Sequence, residues 1–350
     1  MSDPIHVTDS GRVEVLTSDR RLTNDVEPAD SPVPIAVPVA SLDPSASSQL
    51  TATSVPPLEG TDAAQPRSTP ARRAAGRLDL EALRGELGEP GWKTLELIEQ
   101  HRFLSTPQLT RLYFAERHTS DSAPVAAGRV TRWLKRHKLV DRLERRIGGI
   151  RAGSSGMVWF LTERGHRLLH PDTRRRSRPH DPSTTFLDHT LAVADVHVRL
   201  VEAARAERLE LVALVTEPRA WRRFLTPAGV VQPLKPDLYV ELAIPPGSDD
   251  LLSVFVEVDL GSEHLPTLLR KCRTYADYAR SGNADRDGGM PLVIWQMSAR
   301  TPEIAQRRRQ QLAEGIERDR HLDVRMFRIT TPEALVTRLM REAGQRGDQS

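Results

Sequence analysis

Across residues 1–78 no apolar period of 3.6 or 2 is sustained, and Pro, Ser, Ala, Thr and Asp dominate, as in Asp30-Ser31-Pro32-Val33-Pro34 and Pro56-Pro57. Such a stretch buries too little apolar surface to offset the entropy of ordering, so it is expected to be a disordered arm. Folding then falls to residues 79–342, with a second disordered tail expected over 343–350. A chain of 350 residues with that arm accommodates about two domains.

The net charge of +3 conceals an uneven distribution. Residues 1–90 carry 8 Lys+Arg against 14 Asp+Glu, residues 91–180 carry 19 against 8, and residues 181–350 carry 23 against 25. An excess of +11 in one segment points to a polyanionic partner, DNA above all, because each neutralised phosphate releases counterions. A merely solubilising surface is the plainer alternative. No stretch approaches the ~18 apolar residues that span a bilayer. The opening Met1-Ser2-Asp3-Pro4 lacks the basic-then-apolar layout of a secretory signal, so a cytoplasmic protein without membrane insertion is expected. The single Cys272 excludes intrachain disulfides and leaves any zinc site to His and carboxylate ligands.

Residues 79–173 carry the pattern of a winged helix-turn-helix. Trp92, Leu95 and Ile98 trace a first helix that stops near His101-Arg102. Ser105 with Gln108 is a capping-box spacing, and Leu109, Leu112 and Tyr113 supply the buried stripe of a second helix. A third helix is expected to turn Val125, Val130, Leu134 and Leu139-Val140 inward while Arg129, Arg132, Lys135, Arg136 and Lys138 crowd its other positions. Alternation over 140–147, a break at Gly148-Gly149 and a return through Met157 to Leu161 read as two strands around a basic loop, followed by a helix over 162–169. The third helix would read the major groove, and Arg145, Arg146 and Arg151 of the wing would contact phosphates. A basic, Pro-containing linker, 174–182, separates this segment from the next.

Residues 183–342 switch period repeatedly. Thr185 with Asp188 resembles a helix start, and Leu187, Leu191, Ala194, Val198 and Val201 form its stripe, with Asp188, Asp195 and Glu202 on another face. Strands are expected over 209–215, 238–244 and 252–259, then a helix over 264–279, a strand over 291–295, a charged helix over 305–318, a strand over 324–329 and a last helix from Pro332. The expected fold class is α+β or α/β: a winged helix followed by a mixed α/β domain with an αβββαβ core.

Acidic residues sit at the strand ends. Asp237 opens one strand directly after Pro236, and Glu257 and Asp259 close the next on one face, while Val254, Val256 and Val258 face a core. Each acid alone is compatible with an ordinary solvated strand end. The turn 245–250 can bring Asp237 beside Glu257, although its length leaves the register open and a one-residue slip would part them. Converging carboxylates repel, and a divalent cation relieves the repulsion. Magnesium, or manganese in its place, suits Asp237, Glu257 and Asp259 as ligands and supplies a bound water as nucleophile. Lys271, on the margin of its helix's apolar stripe, is the expected phosphate-facing cation, with Lys235 a weaker substitute.

The strings Lys235-Pro236-Asp237-Leu238, Phe255-Val256-Glu257-Val258-Asp259, Glu263-His264-Leu265-Pro266 through Lys271 and Tyr275, and Phe186-Leu187-Asp188-His189-Thr190-Leu191 resemble the replication-relaxation family of plasmid and integrative-element proteins. The resemblance covers about residues 90–340. It implies kinship with the MobC class of conjugative relaxases and a restriction-endonuclease-like PD-(D/E)XK fold in which Asp237 and Glu257 bind the metal. Where that motif carries Lys two residues after the Glu, this chain carries Asp259, which leaves the cationic role to Lys271 or the nuclease altered. Two functions are therefore weighed: a DNA-processing protein that nicks an origin-like site through magnesium, and a non-catalytic replication or transcription factor built on a degenerate nuclease scaffold. Covalent tyrosine relaxases of the His-hydrophobic-His type are disfavoured, since none of the 11 histidines lies two residues from another.

Overall fold

The computed structural model describes residues 79–143, 156–172, 182–226, 228–286 and 288–347. The expected arm, nearly all of the basic linker, and Arg145, Arg146 and Arg151 lie outside them. After helical backbone over 79–86, helix α1 (Glu89–His101) ends where Arg102 turns left-handed at φ 66°. Strand β1 (Leu104–Ser105) leads into α2 (Thr106–Leu109), which opens with the expected capping box: Ser105 Oγ accepts from the Gln108 amide at 3.3 Å, and Gln108 Oε1 accepts from the Ser105 amide at 3.0 Å. The helix continues through a π-helical turn, Thr110–Phe114, into α3 (Ala115–Arg117).

Helix α4 (Ser122–Arg136) buries Ala123, Ala127, Thr131 and Leu134, a spacing of four, four and three. Val125, expected inside, is 57% exposed. Two residues from Ala123 and from Ala127, it lies about 200° around the helix from each. Strands β2 (Val140–Arg142) and β3 (Val158–Leu161) pair antiparallel, and β1 joins them in the order β1-β3-β2. Helix α5 (Glu163–Leu169), capped by Thr162, packs back on this sheet.

The long helix α6 (Thr184–Arg205) is capped by Ser183, whose hydroxyl accepts from the Phe186 amide at 3.2 Å, two residues before the expected start. It serves two cores. Ala194 and Val198 join the apolar cluster of the N-terminal elements, while Val193, Val196, Leu200 and Ala203 lie on the central sheet. Polar contacts reinforce the junction. Gln108 Nε2 donates to Asp195 Oδ1 at 2.8 Å, and Arg111 pairs with both oxygens of Glu202 at 2.7 Å. The described residues belong to one compact unit.

The central sheet contains β4 (Glu210–Thr216), β7 (Leu238–Ala243), β8 (Leu251–Asp259), β9 (Leu292–Met297) and β10 (Phe327–Thr330), in the order β10-β9-β8-β7-β4. The β4-β7 and β7-β8 pairs are antiparallel, and β8-β9 and β9-β10 are parallel. Helix α7 (Leu265–Arg280), a short α8 (Asn283–Arg286) and α9 (Pro302–Arg318) follow in the chain, and α10 (Leu335–Gly347) closes it. On one sheet face Val254, Val256, Val258 and Ile294 meet α6 and Leu335 and Leu339 of α10; on the other, Phe255, Val293 and Trp295 meet α7 and α9. A hairpin of β5 (Arg222–Leu225) and β6 (Val231–Leu234) forms a separate two-stranded sheet that the apolar pattern did not announce, because each strand is only four residues long and contributes one buried residue, Phe224 or Leu234. Among the described residues no helix is long and apolar enough to cross a membrane.

Gly165 permits the close approach of α5 to the sheet. A Cβ there would lie 2.1 Å from the Leu139 carbonyl oxygen, a backbone atom with no rotamer to escape by. Gly165→Ala is therefore expected to lower stability by about 1–3 kcal/mol, read as a reduced urea midpoint. Gly91→Ala, which meets only the end of the Leu87 side chain, should cost less.

Candidate functional site

Pairing of β7 with β8 places Leu238 opposite Val256, so the residue before the first strand and the residue after Val256 face each other. Asp237 thereby lies opposite Glu257, the arrangement that loop length alone left open. The Asp237 carboxylate is tied down through Oδ2, which accepts the Val258 amide at 2.8 Å. Its Oδ1 faces His189 Nε2 at 3.5 Å and Lys271 Nζ at 3.7 Å. Lys271, from the second turn of α7, forms an ion pair with Glu257 Oε2, and the Tyr275 hydroxyl donates to Glu257 Oε1. Lys271 and Tyr275 are four residues apart and share a helix face, so α7 delivers both donors to one carboxylate.

Burial governs the electrostatics. Glu257, 1% exposed, is pushed up to about 8 by desolvation, against the pull of the Lys271 ammonium. Burial also opposes ionisation of Asp237, yet Lys271, His189 and the Val258 amide together hold its pKa below the ordinary carboxylate value. Lys271 is burdened by the same desolvation and is nonetheless raised by the two carboxylates. For His189 burial disfavours the imidazolium, but Asp237 beside it raises the pKa above the ordinary value.

Asp259, expected to share a metal with these acids, is occupied elsewhere. Its Oδ2 accepts from Arg308 Nη2 at 2.9 Å and Nε at 3.1 Å, and its Oδ1 from the Gly261 amide at 3.1 Å. A guanidinium donating twice to one oxygen of a buried carboxylate balances its charge, and here it fastens α9 to the end of β8. Among the described residues no three His, Cys, Asp or Glu side chains converge as a metal cage. Asp237, Glu257, His189, Lys271 and Ser262 line a cleft of about 320 Å³, with Asp259 at its wall. Lys235 is exposed and lies over the Trp221 ring at 4.6 Å, apart from this cluster.

Of the other expected site residues that are described, Arg129, Arg132, Lys135 and Arg136 lie on α4, whereas Lys138, expected on the same helix, falls in the turn beyond its C-terminus at φ 56°. At 100° per residue Arg129, Arg132 and Arg136 fall within about 60° of one another, opposite the buried Ala123-Ala127-Leu134 stripe. All three are exposed, as is Lys138, and none forms an ion pair with a described residue. Lys135 is half-buried and paired with Asp141. Inspection of the sequence assigned no role to His189, Tyr275 or Arg308. The first two lie inside strings already singled out, but an imidazole on a helix carries no mark of which distant strand it will face.

The model of the replication-relaxation family matches residues 95–293, more than half of the 350-residue chain. The chain belongs to the replication-relaxation family. Neither a curated protein nor a solved structure matches it significantly. Membership points to a role in the replication or mobilisation of plasmids or related elements, with DNA or replication proteins as partners. The part of this replication-relaxation protein that matches runs from within α1 into β9, and so holds α4, His189, Asp237, Glu257 and Lys271; Arg308 lies beyond it.

The pKa shifts predict a stability profile. The unfolded chain releases the Glu257 proton near 4.5, whereas the fold retains it to about 8, so the native state binds more protons in that interval and stability falls as pH rises through it. His189 adds to the same trend: its raised pKa contributes stability below the ordinary imidazole value, and this is lost as pH rises through the folded value. Glu257→Gln is expected to flatten the decline in urea midpoint between pH 5 and pH 8. A decline of unchanged steepness in the variant would rule out Glu257 as its source.

Proposed function

We propose that this protein binds DNA through its N-terminal half, folded as a winged helix-turn-helix, and nicks one strand at an origin-like site through a PD-(D/E)XK-like C-terminal half related to MobC-class relaxases. The observation that carries the reading is the facing of Asp237 and Glu257 across β7 and β8 with Lys271 against both. The order α6-β4-β7-β8-α7-β9 supports it, being the αβββαβ series expected of such a nuclease once the β5-β6 hairpin and the one-turn α8 are set aside.

The donor set fits a magnesium or manganese ion. Asp237 Oδ1 has no donor nearer than 3.5 Å among the described residues, and Glu257 Oε2 faces only the Lys271 ammonium, which a divalent cation can displace. Two carboxylate oxygens with the remaining positions left to water match the way magnesium is usually held. Asp237 and Glu257 would hold the ion, which supplies a water of lowered pKa and screens the scissile phosphate. Lys271, which lies against both carboxylates at the cleft, would supply a positive charge for the phosphate as its negative charge develops. His189, at the cleft wall, faces Asp237, which raises its pKa and favours its charged form. On α4, Arg129, Arg132 and Arg136 supply major-groove and phosphate contacts, and Arg145, Arg146 and Arg151 of the wing would set register on the backbone.

One observation favours the non-catalytic alternative. Both Glu257 oxygens are satisfied inside the protein, and Asp259 stands, bound to Arg308, where the nuclease motif carries its lysine. Supercoiled plasmid carrying the cognate origin separates the two readings. With magnesium or manganese the protein should convert it to the relaxed form, and Asp237→Ala or Glu257→Ala should abolish the conversion. Retained DNA binding with no relaxation by the native protein would establish the scaffold reading instead. For the reading helix, Arg132→Ala and Arg136→Ala should each weaken binding and reduce the salt-dependence slope by about one; unchanged binding would remove α4 from the interface.

A further inference from the structure

The β5-β6 hairpin connects to the cleft through only Lys235 and Pro236, which separate β6 from Asp237. Its two faces differ. Phe224 and Leu234 are buried in the core beneath α7, Arg222 lies over the Tyr239 ring at 5.0 Å, and Gln232 Nε2 reaches Thr274 Oγ1 at 3.4 Å. The opposite face presents the cross-strand neighbours Leu225 with Val231 and Arg223 with Pro233, all exposed. Leu225, Val230 and Val231 at the far end are 59%, 61% and 57% exposed, values the fold itself does nothing to justify. Between Pro218 and Pro236 there are four cations and no Asp or Glu. Arg219, Arg223 and Lys235 are exposed, and none forms an ion pair with a described residue. Trp221 is 37% exposed and keeps Lys235 over its ring.

We propose that the outward face of this hairpin is a second DNA contact beside the cleft, its apolar end wedging between bases, Trp221 stacking on an unpaired base, and Arg219, Arg223 and Lys235 holding the flanking phosphates. A surface both apolar and exclusively cationic suits DNA, in which hydrophobic bases lie within a phosphate backbone. Apolar wedges unstack base steps, and aromatic platforms with nearby cations hold single strands. The buried anchors Phe224 and Leu234 fix the hairpin to the core, and two residues separate its base from Asp237. The proposed role is to open the duplex next to the phosphate presented to the cleft. It rests on the DNA-binding part of the function proposed above and not on cleavage.

The full chain should be titrated, without divalent ions, onto mixed-sequence duplexes carrying 2-aminopurine at several positions, and onto the same duplexes with a pre-opened bubble. Native protein should raise the 2-aminopurine fluorescence of the duplex. The double variant Leu225→Ser/Val231→Ser should lose that rise while binding the bubble within about twofold of native affinity, and Trp221→Ala should bind the bubble about tenfold more weakly. Arg223→Ala/Lys235→Ala should reduce the salt-dependence slope by about two. All five positions are exposed, so thermal midpoints should be unchanged and report that each variant is folded. Native-like fluorescence from the Leu225/Val231 variant overturns the inference while leaving the DNA-binding reading intact. Self-association that this variant abolishes, with DNA behaviour unchanged, overturns it in favour of a face for a second copy. Absence of any DNA binding by native protein removes both readings together.

Discussion

Glu257 is a carboxylate with almost no access to water, and the organisation of the C-terminal half follows from what that position requires. An isolated buried carboxylate would be neutralised or would destabilise the fold by several kcal/mol. Lys271 and Tyr275 offset part of that cost by reaching Glu257 from successive turns of α7, which in turn requires α7 to lie across the end of β8. Asp237 enters the same field through the β7-β8 register and is kept ionised by the same lysine and by His189 of α6. Four elements therefore converge on one set of charges. Removing any one partner leaves another without compensation.

Helix α6 transmits the arrangement to the N-terminal half. It supplies His189 to the cleft, Val196 and Leu200 to the sheet, and Ala194 and Val198 to the core beneath α4. Asp195 and Glu202, one two-turn interval apart, bind Gln108 and Arg111 of the helical segment that precedes α4. A basic helix and an acidic cleft are thus mounted on opposite faces of one rigid rod. For the DNA-binding and nicking function proposed above such a fixed offset is an advantage, since a flexible tether would dilute the second event.

The element order was legible in the sequence because burial imposes different periods on helices and strands. The capping box at Ser105, the valines of β8 and the apolar run of β9 all stand where their periodicity placed them. The pairing of Asp237 with Glu257 was legible as a possibility, since acids at the ends of neighbouring strands are chemically conspicuous. The failures have physical causes. Val125 is apolar but lies outside, because four small or medium residues, Ala123, Ala127, Thr131 and Leu134, already fill the contact face of α4. Asp259 obeyed the alternation rule and lies on the face of Glu257, yet Arg308, 49 residues later, takes its charge. The β5-β6 hairpin is held by one buried residue per strand, too few to generate a period.

What the sequence by itself determined is local: which segments are helix and strand, where the positive charge concentrates, and that Asp237, Glu257 and Lys271 are the polar residues most in need of partners. These follow from hydrogen-bond geometry and side-chain periodicity within a few turns of chain. Tertiary structure alone decided which partners they receive. A one-residue slip of β7 on β8 would leave composition and helical pattern untouched and send Asp237 to the opposite face of the sheet. The long-range approach of His189, Tyr275 and Arg308 to these acids depends on how three helices settle on two faces of one sheet, and that packing is an outcome of the whole core rather than of any short run of residues.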